Sequence, residues 1–95
     1  MYICSVDITW DPAKAQSNYR DHKIRFSDAE SVLYDPMALT IEDHDIEGER
    51  RFATVGSDSI GRAVLVVYAY REDGIRIISA RRATPTERKR YEEGI

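Results

Sequence analysis

The feature that most constrains this chain is a succession of strand-like runs with too little sequence between them for anything but hairpins. RAVLVVYAYR at 62–71 is the most apolar segment and is dense in β-branched and aromatic residues. Only Glu72, Asp73 and Gly74, a hairpin signal, separate it from IRIISARR at 75–82. The turn residues SDSIG precede it, and RRFATVGS at 50–57 reads as a further strand. A parallel crossover needs a dozen or more residues, so these runs must pair antiparallel. MALTIE at 37–42 reads as a short strand leading into the group, with DHDIEGE around Gly48 as a polar loop.

The first third supplies helices. YICSVDIT at 2–9 reads as a strand. Asp11-Pro12 then gives an N-cap followed by proline in the first helical position, and the helix runs to about His22. SDAE at 27–30 has the spacing of a capping box and opens a second helix that stops at Asp35-Pro36. TPTE at 84–87 repeats that logic before a last, almost wholly polar helix, ERKRYEE. The order is β-α-α-β-β-β-β-α, an α+β domain: a small antiparallel sheet with helices packed on one face. The second face is left open or covered by a partner. The 95 residues, 42% of them apolar, make one domain spanning 1–95.

Composition narrows the function classes. A single cysteine, Cys4, makes no internal disulfide and no zinc site, which suits a reducing, cytoplasmic compartment. MYICSVDITW lacks the pattern of a signal peptide, and no apolar run is long enough to span a bilayer, so no membrane partner is expected. The formal net charge of −3 hides an asymmetry. Residues 1–49 hold 4 bases against 11 acids, a net of −7. Residues 50–95 hold 10 bases against 6 acids, a net of +4, and nine of the ten bases are arginine. Arginine suits two-point contact with phosphate or carboxylate.

The arginines gather at the end of the last strand. In a strict two-residue period, Arg76, Ile78, Ala80 and Arg82 share one face, and Ile75, Ile77, Ser79 and Arg81 the other. One reading is surface charge guarding a strand edge. The other is a phosphate site built from Arg76, Arg82 and neighbours, joined across the sheet by Arg51, Arg62 or Arg71. Proton-transfer groups are few: His22, His44, Glu87 and Tyr91. His22 also suits a helix C-terminus simply as a cation. The acidic run from Glu42 to Glu49 matches no EF-hand loop, and no P-loop, nucleophile elbow or His-Glu-x-x-His pattern is present. Neither a metal nor a cofactor is expected.

Several stretches, in order, resemble the BrnT-type toxins of bacterial type II toxin–antitoxin systems. They are WDPAKAQSNYRDHKIRF at 10–26, Asp35-Pro36, RRFATVGSDSIGRAVLVVY at 50–68, and RIISARRAT at 76–84 followed by ERKRYEE. Lys23 stands where that family usually has glycine. The resemblance implies a RelE-like fold and a ribonuclease that halts translation. It also implies a BrnA-type antitoxin that neutralises the toxin and alone contacts operator DNA. Cleavage is then expected by attack of the RNA's own 2′-hydroxyl. Arg51, Arg76, Arg81 and Arg82 are the expected cations. His22 is the first choice for proton transfer, and Glu87 or Tyr91 the second. The rival reading is a non-catalytic binding module whose arginine face grips an acidic protein partner.

Overall fold

The computed structural model describes residues 7–46, 49–71 and 74–93. Cys4 and the start of the expected first strand lie outside them, as do Glu47-Gly48 and Glu72-Asp73, the centres of two expected turns. The elements are β1 (Asp7–Trp10), α1 (Pro12–His22), α2 (Phe26–Ala29) continued by a 3₁₀ segment (Glu30–Tyr34), β2 (Leu39–Ile46), β3 (Glu49–Ser57), β4 (Ala63–Arg71), β5 (Gly74–Arg82) and α3 (Pro85–Glu93). The five strands form one sheet in the order β1-β5-β4-β3-β2. β2 through β5 make an antiparallel meander, whereas β1 joins the far edge parallel to β5. The crossover that a parallel pair requires is the whole body of the chain between them. Gly74 opens β5 at φ 155°, and a Cβ there would lie 2.0 Å from the Asp7 carbonyl oxygen, so glycine lets β1 close on β5.

Two sequence expectations change. The polar run after Glu42 is strand rather than loop: β2 extends to Ile46 in register with β3, with a bulge between Thr40 and Glu42. Pairing to a neighbour satisfies its backbone despite the acidic side chains. Ser27 is not an N-cap. Arg25 holds the extended cap conformation (φ −85°, ψ 139°) without a side-chain hydrogen bond, and Ser27 lies inside α2. The Thr84 box forms as the spacing predicts. The Thr84 Oγ accepts from the Glu87 amide at 3.2 Å, and a Glu87 carboxylate oxygen accepts from the Thr84 amide at 2.9 Å.

α1, α2 and the 3₁₀ segment cover one face of the sheet. Ile24, Phe26, Ala29 and Val32 pack there on Val64, Val66, Tyr68, Ile77 and Ala80. Trp10 closes this core edge-on against Phe26, with ring centroids 5.9 Å apart. Each fully buried Val, Ile or Phe side chain among them contributes about 1.5–3 kcal/mol. On the opposite face a smaller core of Ala53, Val55 and Leu65 is covered at one end by Ala83 and by Tyr91 of α3. The helices therefore divide between the faces. α1 ends on Lys23 in the left-handed region (φ 60°), its amide donating to the Tyr19 carbonyl at 2.8 Å. Lysine here takes the helix-terminating conformation that glycine adopts without strain.

Candidate functional site

β5 does not keep the two-residue period. A bulge shifts its register against β4 between Val67 and Tyr68: Ser79 pairs with Val67 and Ile77 with Tyr68, leaving Ile78 as the extra residue. Arg82, Ala80, Ile77 and Ile75 then share the face bearing α1, and Arg81, Ser79 and Arg76 take the other. The expected grouping of Arg76 with Arg82 is corrected accordingly. The two arginines point to opposite faces. Arg76 is paired with Ala69 and Arg82 with Val64, five residues apart along β4, or roughly 17 Å.

Arg82 instead lies at the end of the sheet, in a polar pocket of 360 Å³ lined by Ser57, Gly61, Arg62, Ala63, Arg82, Arg88, Tyr91 and Glu92. Three elements and a turn converge there: the end of β3, the turn into β4, the end of β5 and the outer turns of α3. Arg62 is fixed. Its Nε and Nη2 both donate to Asp58 Oδ2 at 2.8 Å, and its amide donates to Asp58 Oδ1 at 2.8 Å. Its Nη1 reaches the Lys23 carbonyl at 3.4 Å, and Asp28 stands 3.9 Å from Nη2. Arg88 is paired with Glu92 at 2.9 Å one turn along α3, in an exposed and therefore weak ion pair. The exposed guanidinium of Arg82 has no hydrogen-bond or ion-pair partner among the described residues. The sheet thus ends in one fixed cation, one loosely paired cation and one unpartnered cation around a single cavity.

Tyr91 forms the wall of this pocket. Its hydroxyl donates to Asp35 Oδ2 at 2.5 Å, and the same oxygen accepts from the Ser57 amide at 2.9 Å. That bond to Asp35, then burial, push the phenol up to about 12, so Tyr91 keeps its proton across the physiological range. Burial pushes the Asp35 carboxyl up, but the bonds from Tyr91 and from the Ser57 and Met37 amides outweigh it and hold the group below its ordinary value. Gly56 leaves room for this approach: a Cβ there would sit 3.2 Å from Asp35 Oδ2, a tight contact.

The other expected site residues are dispersed. Arg81 donates through both Nη atoms to Glu87 at 2.9 Å. That ion pair, working against burial and helped by the Thr84 amide, holds the Glu87 carboxyl below its ordinary range. Glu87 is thus an ionised acceptor with both oxygens engaged. His22 is exposed in the last turn of α1, one residue before the Lys23 carbonyl that Arg62 reaches. Arg51 pairs across the sheet with Ala69, as does Arg76 from the other side, so the two flank Ala69 on the face opposite Arg82. Arg51 and Arg71 share Glu49, at 3.3 and 2.8 Å. The side chain of His44 lies outside the described residues, although its backbone is in register with Arg51. Among the described residues no three His, Cys, Asp or Glu side chains are placed to hold a metal ion, and no helix is long and apolar enough to cross a membrane.

Sequence reasoning missed Arg88 and the Asp35–Tyr91 bond. The signal for Arg88 was its place one residue after the Glu87 box position, which puts it in the first turns of α3 beside the end of β5. No local pattern links Asp35 to Tyr91, 56 residues away.

Comparison with known proteins bears on the whole assembly. The chain is similar to the 1.1 Å crystal structure of the Brucella abortus ribonuclease toxin BrnT, with a TM-score of 0.65 and 23% identity. The likeness covers 84% of this chain and 99% of that one, and shows that the fold is shared. No curated protein matches the chain. A family model described as the ribonuclease toxin BrnT of type II toxin–antitoxin systems matches residues 10–87. With that match spanning most of its length, from Trp10 ahead of α1 to Glu87 in α3, the chain belongs to the BrnT family of type II ribonuclease toxins.

Proposed function

We propose that this toxin is a metal-independent endoribonuclease with its phosphate site in the polar pocket at the end of the sheet. The observation that carries the reading is Arg82, an unpartnered guanidinium among the described residues, facing a 360 Å³ cavity beside Arg62 and Arg88. A buried or paired arginine serves structure; one left open beside two others suits an anion.

In this reading Arg82 and Arg88 hold the scissile phosphate. Arg88 exchanges its exposed Glu92 partner for a phosphoryl oxygen. Arg62, locked by Asp58, fixes the rim. The RNA's 2′-oxygen attacks phosphorus, forming a 2′,3′-cyclic phosphate as the bond to the 5′-oxygen breaks. One proton leaves the 2′-hydroxyl and one reaches the departing 5′-oxygen. The arginines stabilise the added negative charge and hold the phosphate for in-line attack. His22, next to the residue that Arg62 contacts, is the proposed proton carrier. Glu87 and Tyr91 support the site rather than exchange protons: the first is held by Arg81, and the second stays protonated against Asp35. Loss of RNA halts translation in the cytoplasm.

Arg51 and Arg76 fit a second role. They flank Ala69 on the sheet face that α3 leaves partly uncovered, and Arg76 has no ion-pair partner among the described residues. That face suits the acidic surface of a BrnA-type antitoxin, with operator DNA contacted through the antitoxin. Without catalysis, the same face would serve the binding-module reading.

RNA cleavage by the purified chain in EDTA tests the proposal. Arg82→Ala is expected to lower cleavage more than 10-fold with the fold intact, since the side chain is exposed and unpaired. Arg90→Ala, removing an exposed cation of α3 outside the pocket, should leave cleavage unchanged. Products should end in a 2′,3′-cyclic phosphate. Dependence on added metal, or full activity in Arg82→Ala, would overturn the site.

A further inference from the structure

A second cavity lies where β1, α1 and α2 meet. It measures 310 Å³ and is lined by Trp10, Ala15, Gln16, Tyr19, Arg25, Phe26 and Ser27. Three of its seven lining residues are aromatic, and Tyr19 is 41% exposed, so that ring is not simply core. Two cations lie near that ring, the Arg25 guanidinium 5.3 Å and the Lys23 ammonium 5.6 Å from its centroid. Lys23 and Arg25 are two of the only four bases among the first 49 residues, in the otherwise acidic half of the chain. Gln16 and Ser27 add hydrogen-bonding groups to the lining.

Aromatic rings interleaved with cations are how proteins take hold of unpaired bases in single-stranded RNA: the rings stack on the base and the cations follow the backbone. The cavity's size is at the lower end of small-molecule sites, about 300–1,000 Å³. It shares no lining residue with the proposed phosphate pocket, and Lys23 links the two. Lys23 gives its carbonyl to Arg62 on one side and its ammonium to Tyr19 on the other. From these observations we propose that the Trp10–Tyr19–Arg25 cavity is a base-stacking subsite that seats one unpaired nucleobase of the RNA beside the cleavage site. The inference rests on the nuclease reading and deepens it. It assigns substrate choice to the wall formed by Trp10, Tyr19 and Arg25, beside the end of α1 that carries the proposed proton carrier His22. The toxin then selects single-stranded RNA, because a paired base cannot enter.

Trp10 is the only tryptophan in the chain, so its fluorescence reports on this cavity and the core edge it closes. The probe is a 2′-O-methyl heptanucleotide, which lacks the attacking hydroxyl and is held without being cut. Its total binding is followed separately by anisotropy of a terminal label. Saturable quenching of Trp10 is expected with this probe and not with an abasic chain of the same length. Tyr19→Ala should weaken the normal probe roughly tenfold and leave the abasic one unchanged, and Tyr19→Phe should restore the difference. The subsite is overturned if Trp10 emission stays constant at saturation, or if Tyr19→Ala binds both probes as the wild type does. If the silent probe is still weakened by Arg82→Ala, the phosphate site survives and only the base subsite falls. If neither probe binds, both fall. A Trp10 response to an antitoxin and none to the oligonucleotide would overturn the subsite in favour of a protein side chain.

Discussion

Beyond Ile77 no strand covers the outer edge of β5, because β1 stops at Trp10. Asn18 supplies the missing partner from α1. Its Oδ1 accepts from the Ala80 amide at 3.1 Å, and its Nδ2 donates to the Ala80 carbonyl at 2.9 Å and to the Ile24 carbonyl at 3.1 Å. A side-chain amide thus stands in for one residue of strand, immediately after the bulge that turns Arg82 towards the pocket. Asn18 is only 7% exposed, so Asn18→Ala would leave buried backbone groups unsatisfied. The expected loss is about 2–3 kcal/mol, read as a lower urea midpoint with an unchanged slope. Loss of the pin should also misplace Arg82, so cleavage should fall even where the protein remains folded. The same residues show where sequence reading stopped. That arginines gather at the end of β5 was visible, but which face each takes was not. One extra residue at Ile78 reverses every later side chain, and the partner that favours the bulge is a helix residue 62 positions away from Ala80.

α3 is the element whose attachment the chain's own titration controls. It has no buried residues and is held by the Arg81–Glu87 pair, the Thr84 box and the Tyr91–Asp35 bond. The Tyr91 phenol is raised from its ordinary 10.0 to about 12. A raised folded value stabilises fully below the unfolded one and is lost as pH climbs through the folded one. Docking of α3 should therefore weaken between about pH 10 and about 12. Asp35 and Glu87 are shifted down, so their contributions hold above the ordinary carboxyl range and disappear as pH falls below it. Tyr91→Phe should remove the Tyr91 part of the alkaline limb of a stability–pH profile, leaving that of Tyr70, whose phenol burial also raises, and leave the Glu87 part of the acid limb intact. An unchanged alkaline limb would separate Tyr91 from the docking of α3. Thr84 and Glu87 announced this helix in sequence because a capping box is local. SDAE announced the wrong cap, since α2 takes its entry from Arg25 and packing of Phe26 decided the start.

Over the whole molecule, the uneven charge sets how the toxin can meet RNA. A chain of net −3 does not attract a polyanion from afar. Its cations are instead concentrated: Arg62, Arg82 and Arg88 at the end of the sheet, and Lys23 and Arg25 beside Tyr19. Two of the five are already engaged with carboxylates, Arg62 firmly and Arg88 loosely. Two or three phosphates can then be neutralised, rather than the long track bound by a strongly basic protein. Each phosphate neutralised on a single strand contributes about −0.7 to the slope of log affinity against log salt. A slope between roughly −1.4 and −2.1 is expected for the 2′-O-methyl probe, and Arg82→Ala should reduce its magnitude by about 0.7. Arg51→Ala and Arg76→Ala, on the opposite face, should leave the slope unchanged while weakening capture of an acidic antitoxin. A slope that ignores Arg82 and responds to Arg76 would move the RNA to the open sheet face, and the antitoxin would then neutralise the toxin by occupying the RNA site itself.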